Sequence, residues 1–191
     1  MPDSTRTTHI ALLRGINVGT AKRVAMSDLR AVLEGLGYGG VKTLLNSGNL
    51  LFSVRAIDKR DHGARIEKAM AQKTGVTSRV TVLTTAELGA IVDSNPLATS
   101  GRDPSRLLVA VVKDPLDLSK ARALLKLDWA PESLAVGRRA AYLWIPEGLM
   151  ESVLAKAMAK ALGDGATTRN WATIMKLHSL VVAETTAGAR P

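Results

Sequence analysis

The apolar positions of this chain fall into short runs, and the period of the runs keeps switching between strand and helix. Residues 8–14 are a compact apolar stretch ending at Gly15, the pattern of a buried strand. A polar loop over residues 15–26 follows. Leu29, Val32, Leu33 and Leu36 then recur at helical spacing, with Ser27 as the expected N-cap and Gly37 as the stop. Residues 41–46 and 49–54 read as two strands joined by a two-residue Ser47-Gly48 turn. Residues 58–73 read as a helix with Ile66 and Met70 on one face, stopped at Thr74-Gly75; Asp58 and Asp61 sit at its start, where they complement the helix dipole. Residues 79–83 are a fourth strand, and residues 85–92 a short helix with Thr85 as its cap.

Residues 94–105 (SNPLATSGRDPS) are rich in Pro, Gly and Ser and read as a linker. Beyond them the order repeats: a strand over 106–112, a helix over 118–127, a hairpin of 132–136 and 140–146 around residues 137–139, a helix over 149–162 and a short strand over 166–168. A last helix over 170–183 places Trp171, Ile174, Met175, His178 and Val181 near helical spacing, with His178 and Trp171 expected in the core. The residues before Thr8 and after Ala183 are expected to fray. Both halves therefore read as βαββαβ, so the expected fold is α+β: two ferredoxin-like lobes in tandem, at 8–93 and 106–183, with an added C-terminal helix.

That topology has a consequence for function. If the first strand runs up, the helix after it runs down and the second strand up again. The loop over 15–26 and the hairpin tip near residues 46–49 are then neighbours, joined by the loop over 74–78. This end carries Arg14, Asn17, Gly19, Lys22, Arg23, Asn46, Ser47, Gly48, Asn49 and Lys73. The first helix points its N-terminal amides the same way, and free helix amides favour anions. Gly15 and Gly19 let backbone N–H groups approach an oxyanion closely. The expected ligand is a small anionic or nucleotide-like molecule. The competing reading is that these glycines only shape a turn, that Asn49 only supports the hairpin and that Arg14 makes a structural ion pair.

Composition narrows the classes. The 191 residues hold no Cys, which removes disulfide, thiolate and Cys-zinc chemistry. The N-terminus lacks an apolar signal segment and no run approaches membrane-span length, so a cytoplasmic protein with no membrane partner is expected. Net charge is +9, spread as +5 over residues 1–98 and +4 over residues 99–191. Such a balance suits a solvated basic surface or an anionic partner, nucleic acid included. RNA-recognition modules of this fold stack bases on sheet aromatics. Here Phe52, Tyr142 and Trp144 are the strand aromatics, and packing against the sheet face is the plainer use for them. A structural or regulatory interaction module is the remaining alternative.

No motif assigns a reaction. The run from Gly15 to Lys22 lacks the spacing of a Walker loop, no GxGxxG follows a strand, and GxSxG and HExxH are absent. His9, His62 and His178 are far apart in sequence, so no metal site and no cofactor are expected.

Arg14-Gly15-Ile16-Asn17-Val18-Gly19, Met26 to Arg30, Ser47-Gly48-Asn49 with Phe52, and Thr167-Thr168-Arg169-Asn170-Trp171 together resemble the bacterial domain-of-unknown-function family 1697, over about residues 8–183. The chain departs from the family's usual pattern at Thr20-Ala21, Ala25 and Asn46. The resemblance implies a two-lobed α/β fold and no activity. It adds Arg169 and Asn170 to the candidate ligand-binding residues, where they open a helix and either cap it or meet a ligand.

Overall fold

A computed structural model describes residues 6–20 and 22–188. Two compact units follow one another, one ending at Ala86 and the other starting at Glu87. Each contains a four-stranded antiparallel sheet, and the strand order is the same in both.

In the first unit, β1 (Arg6–Leu13), β2 (Gly39–Leu44), β3 (Asn49–Arg55) and β4 (Val80–Thr84) form the order β2-β3-β1-β4. α1 (Met26–Gly35) and α2 (His62–Thr74) cover it. The period-2 pattern sends Ala11, Leu13, Leu50, Phe52, Val54 and Val80 to the helix side, where Leu29, Val32 and Leu33 of α1 and Ile66 and Met70 of α2 close the core. Each such large side chain, fully buried, contributes about 1.5–3 kcal/mol of transfer free energy.

Three expected boundaries move. α1 begins at Met26, so Ser27 lies inside the helix and the N-cap is Ala25, which supplies no side-chain acceptor. Leu44 pairs with Asn49, so four residues rather than two make the hairpin tip, with Leu45 at φ 58 and Gly48 at φ 77. α2 begins only at His62, because Asp58 binds Arg60 (Nε to Oδ1 2.7 Å) in the preceding loop and Asp61 caps the helix by accepting from the Ala64 amide at 2.9 Å. Gly75 at φ 71 ends it as expected.

α3 (Thr85–Asp93) leads into the second unit. There β5 (Leu107–Val112), β6 (Ser133–Val136), β7 (Ala140–Trp144) and β8 (Ala166–Asn170) form the order β6-β7-β5-β8. α4 (Leu118–Ala123) is shorter than the expected helix, with 3-10 turns before and after it. α5 (Val153–Leu162) starts four residues late because Ser152 caps it, accepting from the Ala155 amide at 2.8 Å. Glu132 from the start of the β6 hairpin adds a second cap on the Leu154 amide at 2.9 Å. Residues 94–105 lie in the second unit: Ser94 Oγ is 3.0 Å from Tyr142 Oη, and the Arg102 guanidinium sits 4.9 Å from the Trp144 ring.

β8 is longer than expected and takes in Arg169 and Asn170; α6 (Trp171–Gly188) follows and packs against β5 and β8. Its buried stripe is Ile174, Leu177 and Val181; Met175 is exposed, and Trp171 and His178 are half-buried rather than core. The ends expected to fray are ordered further out, from Arg6 and to Gly188, while residues 1–5 and 189–191 lie outside the described residues.

Candidate functional site

The loop after β1 and the β2–β3 hairpin tip do meet. β1 ends by donating from the Leu13 amide to the Gly48 carbonyl at 2.8 Å. The next amide, Arg14, donates to the Arg79 carbonyl at 2.9 Å, and Ser78 Oγ donates to the Arg14 carbonyl at 2.8 Å. Three segments are thereby stitched into one rim at a common end of the sheet.

Asn17 holds the long loop in place. Its Nδ2 donates to the Val24 carbonyl (2.9 Å) and to the Asn46 carbonyl of the hairpin tip (2.8 Å), and its Oδ1 accepts from the Val24 amide (2.8 Å). Its own amide donates to the Lys22 carbonyl at 3.1 Å. The backbone at Asn17 is left-handed, φ 55, a conformation Asn tolerates better than most residues. Gly15, Gly19 and Lys22 are left-handed as well.

The predicted ligand residues divide into framework and surface. Asn49 is wholly buried and donates to the Leu44 carbonyl (2.9 Å) and to Ser47 Oγ (3.0 Å), bracing the hairpin. Gly48 is buried against Ile16 and Leu13, where a Cβ would come within 2.7 and 2.8 Å of them. Asn17 is spent on the loop. Lys22, Arg23, Gly19 and Ser47 are exposed on the rim and Arg14 is half-buried there. Lys73 lines an open groove of about 280 Å³ between α1 and α2, with Ala31, Gly35, Leu36 and Ala69. In the second unit, Asn170 caps α6: its Oδ1 accepts from the Thr173 amide (2.9 Å) and hydroxyl (2.7 Å). Arg169 is buried on β8, donates to the Thr168 carbonyl at 2.8 Å, and burial lowers its pKa to about 10.

At the mouth of the rim, α1 presents the amides of Met26 and Ser27, which make no hydrogen bond among the described residues. The Asp28 and Leu29 amides both turn back to the Ala25 carbonyl, at 3.1 and 3.2 Å. Lys22 and Arg23 precede this turn, Asp28 lies within it, and Val18 beside them is 70% exposed.

The strand aromatics offer no open stacking platform. Phe52 is buried on the helix side of its sheet, stacked on Tyr38 at 4.7 Å. Tyr142 is buried and donates to the Ile91 carbonyl at 2.9 Å. Sequence separation also concealed one pairing: the His9 and His62 rings meet edge to face at 5.5 Å, because the α2 N-terminus packs beside β1. Among the described residues no group of three or more His, Asp or Glu side chains converges as metal ligands, and no helix is long and apolar enough to cross a membrane.

The family described as "Protein of unknown function (DUF1697)" matches residues 6–142. Among solved structures, the chain is similar to the conserved bacterial protein SP0830 from Streptococcus pneumoniae, with a TM-score of 0.75 and 26% identity over 93% of this chain and 99% of that one. No curated protein matches it.

Proposed function

From the premise that the chain belongs to the DUF1697 family of unknown function, we propose that it binds a small anionic ligand, nucleotide-like in character, at the rim of the first unit. The observation that supports this most is the start of α1. The helix has no side-chain cap, its first amides are unengaged among the described residues, and two exposed cations stand in the loop before it. A helix N-terminus of this kind attracts negative charge through both its N–H groups and its dipole. The exposed Val18 supplies apolar surface for the uncharged part of a ligand.

Under this reading Lys22 and Arg23 bind, Arg14 contributes from the side, and Asn17, Gly48 and Asn49 hold the shape. Arg169 and Asn170 belong to the framework of the second unit. The test is isothermal titration with inorganic phosphate and with a nucleoside monophosphate, wild type against Lys22→Ala/Arg23→Ala. With charged hydrogen bonds contributing about 1.5–3 kcal/mol each, losing one weakens binding by about 10- to 100-fold and the double substitution weakens it by more than about 100-fold. Equal affinity in both proteins removes the site. Single-stranded RNA forms the control arm: salt-dependent binding that survives the double substitution would move the partner to the wider basic surface.

A further inference from the structure

At the opposite end of the first unit from the rim, His62 opens α2 inside a cluster of rings and cations. Its Nδ1 lies 2.9 Å from Tyr38 Oη, and the Arg65 guanidinium donates to the same Oη at 3.2 Å. The His9 ring from β1 meets it at 5.5 Å and the Phe52 ring from β3 at 6.1 Å. Both His62 and Tyr38 are buried, at 7% and 5% exposure.

The hydrogen bonds fix the proton. Arg65 can only donate, so the Tyr38 oxygen accepts from it and sends its own hydrogen to His62 Nδ1. That arrangement gives the Tyr38 hydroxyl both a donor and an acceptor and requires an imidazole with no hydrogen on Nδ1. Protonation places a hydrogen on Nδ1. Tyr38 must then accept from two cations, and its hydroxyl hydrogen loses its acceptor in a buried site.

The surrounding charges oppose protonation as well. Facing His62 are Arg65 from α2, His9 from β1, and the positive end of α2 itself, where Asp61 is occupied in capping. The carboxylate of Asp58, which Arg60 already engages, and a hydrogen bond to the Asp58 backbone favour the charged ring. Burial, first, and then His9 and Arg65 lower the His62 pKa below its ordinary value, against the pull of Asp58.

The geometry points to an acid-sensitive latch: protonation of His62 releases the first turn of α2, with the loop over residues 56–61, from the sheet of the first unit. The folded state binds this proton more weakly than the unfolded or released state does. The latch is therefore fully closed above the ordinary imidazole pKa of about 6.5 and opens as pH falls below it.

The test is amide hydrogen exchange on the full chain, corrected for intrinsic rates, from about pH 7.5 to about pH 5, either side of the ordinary imidazole range. Wild type is expected to lose about tenfold or more protection at Arg65 and Ile66, while Lys156 in the first turn of α5 holds. His62→Asn, whose Oδ1 replaces the Nδ1 acceptor without titrating, is expected to stay flat. Arg65→Gln keeps a donor to Tyr38 and removes a charge that opposes protonation of the closed state, so less protection is expected to be lost by about pH 5 than in wild type. Flat protection in wild type, equal loss in His62→Asn, equal loss at Lys156, or a loss in Arg65→Gln as large as in wild type overturns the latch.

Discussion

Replacing Asn17 tests how the rim is built. The Asn17 amide makes three side-chain hydrogen bonds that bind the loop both to itself and to the hairpin. At about 1 kcal/mol net for each, Asn17→Ala costs about 3 kcal/mol. Alanine in the left-handed region adds about 1 kcal/mol, a cost that Asn17→Gly avoids. The expected losses are therefore about 4 kcal/mol for Ala and about 3 kcal/mol for Gly. Asn17→Asp keeps the acceptor for the Val24 amide but turns a carboxylate oxygen toward two carbonyl oxygens, so it is expected to destabilise at least as much as Ala.

The assay must see the first unit. Trp129, Trp144 and Trp171 all lie in the second, so tryptophan fluorescence would report the wrong half. Urea unfolding followed by amide NMR resonances of β1 and β4 reads the right one. An Asn17→Ala protein within about 0.5 kcal/mol of wild type would refute the reasoning, since surface substitutions without structural consequence fall in that range. An Asp variant more stable than the Ala variant would refute the role given to the two donor bonds.

Gly48→Ala is expected to lose about 2–4 kcal/mol by the same measurement, since a Cβ at φ 77 collides with Ile16 and Leu13. Asn170→Ala removes the cap of α6 and is expected to cost about 1 kcal/mol, read as faster amide exchange at Thr173 with the rim unaffected. Both tyrosines of the chain, Tyr38 and Tyr142, are held above the ordinary phenol pKa, chiefly by burial. Raised folded-state values mean full stability below about pH 10 and its loss as pH rises beyond that. Ultraviolet titration should then show phenolate appearing late and together with unfolding; an ordinary midpoint in the folded protein would contradict the burial.

The legible part of the fold was the part written in local periodicity. Two βαββαβ units follow from where the apolar period switches, and the convergence of the rim follows from strand direction. What escaped was set by side-chain contacts that the apolar period does not report. Ser27 is the better cap residue by propensity, yet α1 starts at Met26 because Asn17 fixes both backbone groups of Val24 and so sets the entry of the chain into the helix. The hairpin tip grew to four residues because Asn49 turns inward and binds the Leu44 carbonyl. The same contacts separate the candidate site residues into two kinds. Asn17, Gly48 and Asn49 carry the motif yet face inward, so their spacing encodes the shape of the loop. Lys22 and Arg23 carry the charge and face water. The His9–His62 pairing was hidden for a related reason, since strand pairing and helix packing ignore the intervening length of chain.

The second unit acts as an internal control for the proposed site. Its rim is stitched in the same way: the Val112 amide donates to the Arg139 carbonyl at the hairpin tip (3.1 Å), and the Lys113 amide donates to the Gly165 carbonyl before β8 (2.9 Å). Topology alone therefore produces the rim. What differs is the start of the following helix. Only Lys113 and Asp114 separate β5 from the 3-10 turn that leads into α4, and the Asp114 carboxylate accepts from the Leu116 amide at 2.9 Å. That position already holds its own anion. In the first unit, twelve residues (14–25) intervene and end on Ala25, whose side chain offers no acceptor to the amides beyond it. Ala25→Asp would make the first unit resemble the second. The Ala25 backbone, φ −69 and ψ 143, already has the shape of a cap. A carboxylate there should stabilise α1 by about 0.5–2 kcal/mol. It should also weaken phosphate binding while leaving Lys22 and Arg23 untouched, because it occupies the same amides. A variant that gains stability and keeps its phosphate affinity would show that any anion held by the first unit rests on the cations alone.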